Sequence, residues 1–430
     1  MEKMRVLLVG GGGREHAIAW KLKQSPLLEK LYIAPGNAGT ELLGENVPIP
    51  ASDIAELVSF ATKHKVNFVF VGPDDPLALG IVDAFSAVEI PIFGPTKAAA
   101  RLESSKAFAK DFMKRHNIPT AKYAVFSDLE SAVSYVDKQN YPLVIKANGL
   151  ALGKGVTIVH NREEAHSTLR RILLEKVFGE AGNEVVVEEY LEGVEISVHV
   201  FSDGTTCRIF PTSQDHKRVR DNDEGPNTGG MGVVAPLPFV SMEMLARIDR
   251  EIVSPTIKAM SDEGTPFVGL LYPGIMITKD GPKVFEFNVR FGDPETEVYM
   301  RLLDSDLLEI AKACTEGKLS EVQIKWQKVS ACNVVLAAGG YPGNYEKGEM
   351  IRGLVEAGSI PGVVVFHAGT KISGGAIVTN GGRVLCVSAV SDTLPHAIKL
   401  AYEAVDKISF SGKQYRRDIG KKALIIPSIL

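Results

Sequence analysis

The sequence predicts a multidomain protein of the α/β and α+β classes: a parallel α/β domain first, an α+β domain in the middle and a small β-rich domain last. Three observations carry that expectation. A chain of 430 residues is too long for one compact core and divides into roughly three domains. Its N-terminal stretch alternates apolar strand, glycine-rich turn and helix, the pattern of a parallel sheet covered on both faces. Further on, strands follow one another at hairpin distance, which indicates antiparallel pairing between neighbours.

In order, residues 4–9 (MRVLLV) form a continuous apolar strand, closed by Gly10 to Gly13 and followed by a helix from Arg14 to Gln24. Leu31 to Ala34 is a second strand, ending in Pro35-Gly36-Asn37. A helix from Ile54 to His64 leads to a third strand, Phe68 to Val71, and Leu77 to Val88 is helical before Ile92-Phe93. These elements make a first domain at residues 1–103. In a second domain, 104–328, Lys106 to His116 is helical, and Ala121 to Phe126, Pro142 to Lys146 and Val156 to Val159 are strands. Glu184 to Glu189, Glu195 to Phe201 and Thr205 to Pro211 are expected to form an antiparallel meander. Met242 to Glu263 reads as a long helix, and Gly269 to Thr278 with Lys283 to Asn288 as a hairpin. From Val329 the chain is β-rich with GG and PG turns, then helical from Leu394 to Ile408, giving a third domain at 329–430.

Composition removes several classes of function. Hydrophobic residues at 45% and charged residues at 23% are ordinary for a soluble globular protein. A net charge of −4 offers no basic field to nucleic acid or an anionic membrane. Any phosphate-bearing substrate therefore has to be held by local groups. The four cysteines, Cys207, Cys314, Cys332 and Cys386, include no CxxC pair. That argues against a disulfide framework or thiolate zinc site and suits a reducing cytoplasm. No stretch approaches ~18 uninterrupted apolar residues, so nothing spans a membrane, and the first apolar run is too short for a signal peptide.

Two glycine-rich loops invite misreading. Gly10 to Gly13 after a strand suggests a nicotinamide dinucleotide, hence an oxidoreductase. That fingerprint needs a third glycine and, roughly 20 positions on, an acidic residue for the ribose. Here Gly10-x-Gly12 runs into Glu15, Gly11-x-Gly13 into His16, and the second strand ends without a carboxylate. What survives is a set of N–H groups at a helix N-terminus, suited to a phosphate ester. The plainer alternative is a tight turn that lets helix pack on strand. Arg14, Glu15 and Asn37 add polar groups at the carboxyl ends of adjacent strands, where open α/β sheets bind ligands. The second loop, Asn148 to Gly155, has three residues between Gly149 and Gly153, and Gly155 after Lys154. A Walker loop needs four residues there and a Ser or Thr after the lysine. A strand follows, so this loop tips a β-hairpin that can fold over a triphosphate and exclude water, with Lys146 beside it.

In Val284 to Asn288, alternation puts Glu286 and Asn288 on one face and Phe285, Phe287 and Val289 on the other. Two oxygen donors so spaced can clamp a hard cation such as Mg²⁺ that also binds substrate phosphates. Alone, such a pair is more often a solvated face. Arg290 to Glu295 concentrates charge beside it, and Ser213 to Arg218 and Pro226 to Gly232 are further polar loops. So many in one domain favour function over surface turns. Asp215-His216-Lys217 has no Ser or Cys at a nucleophile's spacing, so His216 reads as a hydrogen-bonded structural residue.

These segments together resemble the glycinamide ribonucleotide synthetases of the ATP-grasp superfamily, over essentially the whole length. The resemblance rests on GGREHA at 12–17, APGNAGT at 34–40, FGPT at 93–96, SKAFAKDF at 105–112 and GKGV at 153–156. It continues through TSQDHKR at 212–218, GPNTGGMG at 225–232, EFNVRFGDPET at 286–296, AAGGYPG at 337–343 and TNGGRVLCV at 379–387. The family more usually has Asp at Asn148, a small residue at Leu152 and Asn at Gly11. Neighbouring alternatives are another ATP-grasp carboxylate–amine ligase or carboxylase, or a catalytically silent ATP-binding regulator. The first lacks TSQDHKR and GPNTGGMG, and intact Glu286, Asn288 and Arg290 speak against the second.

The resemblance implies an ATP-grasp core with a mobile lid at about 120–190, and a ligase of purine biosynthesis. It would phosphorylate glycine with ATP and let 5-phosphoribosylamine displace the phosphate. It implies Lys106 and Lys146 on the ATP phosphates, under a loop including Gly149, Gly153, Lys154 and Gly155. It also implies an adenine-reading hinge at Glu188, Glu189 and Leu191, and Glu195 on the ribose. Glu286 and Asn288 match the ligands of Mg²⁺ or Mn²⁺, and Arg290 matches a residue suited to the transferring phosphoryl. Asp215 and Asp293 are candidates for the glycine ammonium, and Gly12, Gly13, Arg14, Glu15 and Asn37 for phosphoribosylamine. The expected partners are these small molecules alone, with neither nucleic acid nor membrane, for a cytoplasmic monomer.

Overall fold

The computed structural model describes residues 3–150 and 155–426. Strands β1 (Met4–Gly10), β2 (Leu28–Pro35), β3 (Glu45–Asn46), β4 (Phe68–Val71) and β5 (Ile92–Phe93) form a sheet in the order β3-β2-β1-β4-β5. Its pairings are parallel throughout. Central β1 is inaccessible from Val6 to Val9, which is why its sequence is an unbroken apolar run. The chain leaves β1 for β2 on one side and returns to β4 on the other. Gly10 to Gly13 therefore lie at the switch point, where crevices open in such sheets. The helix expected from Leu77 to Val88 is two, Asp74–Leu79 and Ile81–Ser86, broken at Gly80 with φ +97°. That conformation suits glycine and interrupts a helix.

Strands β6 (Tyr123–Phe126), β7 (Leu143–Ala147), β8 (Val156–Val159) and β9 (Val185–Glu189) make an antiparallel sheet in the order β6-β9-β7-β8. It packs on helices Leu129–Val136 and Arg162–Leu169 around its own apolar cluster, which includes Ala132, Val136, Ile145, Leu169 and Val187. A unit with a separate core can move as a body. The expected meander is thereby corrected: β9 joins this sheet rather than the strands that follow it.

The remaining strands are β10 (Val194–Ser197), β11 (Val200–Asp203), β12 (Cys207–Ile209), β13 (Gln214–Asp215), the ribbon β14 (Arg218–Arg220) and β15 (Glu224–Asn227), and β16 (Gly232–Ala235). After helical turns over residues 242–262 come β17 (Val268–Thr278) and β18 (Gly281–Asn288). The last are β19 (Ser330–Ala337), β20 (Val363–His367), the ribbon β21 (Thr370–Ser373) and β22 (Ala376–Thr379), and β23 (Arg383–Ser391). One sheet runs β10-β17-β11-β12 with β18 on β17, and another runs β13-β16-β19-β23-β20. Two strands from the middle of the chain are thus built into the C-terminal sheet, across residue 328. Among the described residues no helix is long and apolar enough to cross a membrane, and all four cysteines are free thiols.

Strict alternation on β18 fails at one point. Gly274 pairs with Glu286 but Ile275 with Val284, so Phe285 is the extra residue of a β-bulge. Val284, Phe287 and Val289 enter the core, whereas Phe285 leaves it and fills the space beside Gly274. The bulge keeps Glu286 turned toward Lys217, Lys146 and Lys106, with Asn288 beside Arg290.

Candidate active site

Cations gather where the lid meets the central sheet. Lys146 on β7 donates to the Phe285 carbonyl at 2.8 Å and pairs with Glu188 Oε1 at 2.9 Å. Lys110, on helix Lys106–Arg115, pairs with Glu188 Oε2 at 2.8 Å and donates to Thr120 Oγ1 at 2.8 Å. Glu188 on β9 is therefore a buried carboxylate holding two ammonium groups. Burial drives Lys110 down to about 8 against the pull of Glu188. Lys106 donates to the Gly149 carbonyl at 2.9 Å, and burial lowers its pKa too. Asn148 caps the Lys106 helix, its Oδ1 accepting the Ala107 N–H at 2.8 Å, while its amide nitrogen donates to Glu184 at 2.6 Å. An aspartate there would set two carboxylates together, so Asn148 is matched to Glu184. Gly149 has Ala181 Cβ only 2.7 Å from where its own Cβ would stand. The Gly155 carbonyl accepts the Ala147 N–H at 2.9 Å and closes the hairpin. Gly153 and Lys154 lie outside the described residues. Glu189 accepts the Lys122 N–H at 3.0 Å, and Leu191 is half-buried just beyond it.

Lys217 Nζ lies 2.7 Å from Glu195 Oε1 and 3.3 Å from Glu286 Oε1. Burial would raise the Glu286 carboxyl, but Lys217, Lys146 and Lys106 hold it down at about 2. Asn288 Oδ1 accepts from Arg290 at 3.2 Å. Arg290 also meets Glu103 Oε1 at 3.2 Å, and burial pushes Glu103 up to about 7 despite that guanidinium. Asp74, at the start of the helix after β4, is held below the usual carboxylate range by Arg290 and Arg14 in spite of its burial. Arg14 Nη1 donates to the Phe291 carbonyl at 3.1 Å, so the glycine turn of the first sheet abuts the residue after Arg290.

The other expected residues divide by what their side chains already hold. Glu15 accepts the Gly12 N–H at 2.6 Å and pairs with Arg14 at 2.5 Å. Asn37 donates to the carbonyls of Gly11 at 3.0 Å and His367 at 2.8 Å while accepting the Gly39 N–H at 2.8 Å. Both shape the turn around Gly12 and Gly13. Asp293 pairs with Arg383 at 2.9 Å, and Arg383 Nη1 also donates to the carbonyls of Asp293 and Gly229, each at 2.8 Å. Asp215 is freer: its Oδ1 accepts the His216 N–H at 2.7 Å, and burial and neighbouring Glu295 raise its pKa well above the usual value. Glu295 Oε1 in turn accepts Tyr272 OH at 2.6 Å and Ser197 Oγ at 3.1 Å. His216 lies 3.0 Å by Nδ1 from the Gly232 carbonyl and accepts the Gly420 N–H at Nε2, 3.1 Å. That pair assigns the proton to Nδ1 and makes His216 a structural clip.

Sequence reasoning gave no site role to Lys110, Lys217, Glu103, Asp74, Glu295 and Arg383, although Lys217 and Glu295 fell in segments it noted. Lys110 carried a signal, four residues from Lys106 on one helix face. Glu103, Asp74 and Arg383 carried none, because their partners lie far away in the chain.

A four-stranded antiparallel unit carrying Lys146, beside Lys106 and Lys110 and facing an acid–amide pair and an arginine on and just after β18, defines an ATP-grasp enzyme, an ATP-dependent ligase. The family models for the phosphoribosylglycinamide synthetase N domain, ATP-grasp (A) domain and C domain match residues 4–103, 104–296 and 331–422, and the chain belongs to that family. It is 51% identical over 424 residues to a phosphoribosylamine–glycine ligase of Vibrio vulnificus, covering 98% of this chain and 99% of that one. It is 52% identical over 421 residues to the enzyme of the same name from Mesorhizobium japonicum, covering 98% and 99%. A crystal structure of phosphoribosylamine–glycine ligase from Thermotoga maritima superposes with TM-score 0.83 at 35% identity, covering 96% of this chain and all of that one. The biotin carboxylase domain of Hydrogenobacter thermophilus 2-oxoglutarate carboxylase shares the fold, with TM-score 0.73, 18% identity, and 96% and 92% coverage.

Proposed function

We infer that this chain joins glycine to 5-phosphoribosylamine with cleavage of ATP to ADP and phosphate, forming glycinamide ribonucleotide. The observation that carries the reading is the junction at residues 286–291. There the lysine-rich ATP side, the acid–amide pair and the glycine turn of the first sheet come together through Arg14 and Phe291. A carboxylate is a poor electrophile. Transfer of the terminal phosphoryl to glycine supplies a leaving group, and the amine then attacks the acyl carbon. Positioning and charge suffice for this, with no covalent side-chain intermediate.

Lys106 and Lys146 hold the ATP phosphates and the loop 149–155 covers them, excluding water that would hydrolyse the acyl phosphate. Backbone groups at Glu188 to Leu191 read the adenine and Glu195 takes the ribose hydroxyls. Glu286 and Asn288 would hold Mg²⁺ or Mn²⁺, which would offset charge on the terminal phosphates when bound. An ionised carboxylate and an amide oxygen fit such a cation. No group of three or more His, Cys, Asp or Glu suited to a metal occurs among the described residues, so phosphates and water would complete the shell. Arg290, its charge secured by Glu103 and Asp74, stabilises the transferring phosphoryl. Asp215 and Asp293 receive the glycine ammonium, with Asp215 the less committed of the two. Gly12, Gly13 and Arg14 contact phosphoribosylamine, and Glu15 and Asn37 serve it by holding the turn. The chain acts as a cytoplasmic monomer built of segments 1–103, 104–328 and 329–430, with the lid at about 120–190.

Glycine labelled with ¹⁸O in its carboxylate tests the route: one label should appear in the released phosphate. Unlabelled phosphate with product still formed would refute glycyl phosphate. No product from glycine and phosphoribosylamine would refute the reaction.

A further inference from the structure

We propose that Lys217 stands in for the metal ion in the nucleotide-free enzyme and makes metal binding wait for the nucleotide. The inference rests on reading Glu286 as a metal ligand and Glu195 as the ribose acid. Lys217 Nζ is held on three sides, by Glu195 Oε1 at 2.7 Å, Glu286 Oε1 at 3.3 Å and the Phe285 ring at 4.9 Å. Among the described residues no other cation pairs with either acid. The Phe285 wall exists because the bulge turns that ring out of the core and Gly274 leaves it room, with Cζ 2.5 Å from where a Cβ would stand. One ammonium thus ties the acid at the ribose end of the site to the acid at the phosphate end.

A divalent cation sits about 2.0–2.1 Å from its oxygens. On Glu286 it would share a carboxylate with an ammonium already there, and like charges so close repel. Lys217 therefore has to release Glu286 before the cation settles. Ribose hydroxyls are donors that compete with the same ammonium for Glu195. A nucleotide loosens Lys217 at one end and so frees Glu286 at the other, and by linkage the cation strengthens nucleotide binding equally. The backbone leading into Lys217 is fixed by the pairing of Asp215 with Val233 and by the two ring contacts of His216, and the Lys217 carbonyl itself accepts from the Thr228 N–H and hydroxyl, each at 2.8 Å. The release is confined to the Lys217 side chain. Lys217 is on this account a positioning residue for the metal.

Binding of Mn²⁺ to the full chain, read from the electron-spin resonance of the free ion, tests the idea without turnover. In the absence of nucleotide, Lys217→Met and Lys217→Gln should bind Mn²⁺ on the order of tenfold or more tighter than wild type, with Lys217→Arg close to wild type. Adenosine, which has ribose hydroxyls but no phosphate to ligate a metal, should tighten Mn²⁺ binding about fivefold in wild type and leave Lys217→Met unchanged. Equal Mn²⁺ affinity in wild type, Lys217→Met and Lys217→Gln, or no effect of adenosine on wild type, overturns the proposal. The metal assignment fails separately, if Glu286→Gln binds Mn²⁺ with ADP as well as wild type does.

Discussion

Glu188→Gln removes one charge and preserves shape, yet it should be among the most damaging changes in the lid. Its two oxygens meet Lys146 at 2.9 Å and Lys110 at 2.8 Å, and all three side chains are under a tenth exposed. Breaking a buried pair costs about 3–5 kcal/mol, because the abandoned charge stays desolvated. Here the loss has a ceiling. Lys110 already sits near 8 through burial, and without Glu188 it sheds its proton at pH 7 rather than remain an isolated ammonium. We therefore expect a loss at pH 7 near the lower figure, about 3 kcal/mol. At pH 9 Lys110 is mostly neutral in wild type as well, so the loss should shrink by about 1–2 kcal/mol. The sign follows from linkage. The lysine's folded pKa lies below its unfolded value, the unfolded chain binds more protons between the two, and Lys110 penalises folding less as pH rises from about 8 toward 10.5. Amide exchange of β7 and β9, residues 143–147 and 185–189, measures opening of the lid core directly. A loss below about 1 kcal/mol at pH 7, or no smaller at pH 9, would refute the clamp.

Other outcomes follow from the same contacts. Glu286→Gln should lower turnover on the order of 100-fold; near-normal activity at ordinary Mg²⁺ removes Glu286 from the site. Arg383→Met abandons the Asp293 carboxylate and two carbonyls, and should cost about 3 kcal/mol in urea unfolding. A shift under about 1 kcal/mol would make that junction dispensable. His16 and His216 are lowered by burial to about 3 and about 4 from 6.5. The unfolded chain binds more protons below 6.5, so their contribution is full above that pH and is lost as pH falls toward 4 and then 3. His216→Gln should flatten the acid limb of a stability–pH curve, and an unchanged limb counts against a buried neutral imidazole.

The division between what could be read early and what could not follows the range of the forces involved. Apolar runs and glycine turns located β1, β2, β4 and β7 and the pair Glu286–Asn288, because strand burial and alternation are local properties. Even there, one glycine at 80 split a helix, and one bulge at Phe285 broke an alternation that only pairing with β17 reveals. Family motifs marked Lys106 and Arg290, and its place beside the second glycine-rich loop marked Lys146, with no indication of what holds them. The sequence by itself determined the domain classes, the chemistry of the donors and their order along the chain. Only the tertiary structure decided that β9 pairs with β6 and β7, that Glu188 clamps Lys110 and Lys146, that Asp293 is taken by Arg383, and that Lys217 bridges Glu195 and Glu286. Those are pairings between distant segments. A buried charge is stabilised by whichever opposite charge the fold brings within a few ångströms, and position in the chain carries no record of that distance.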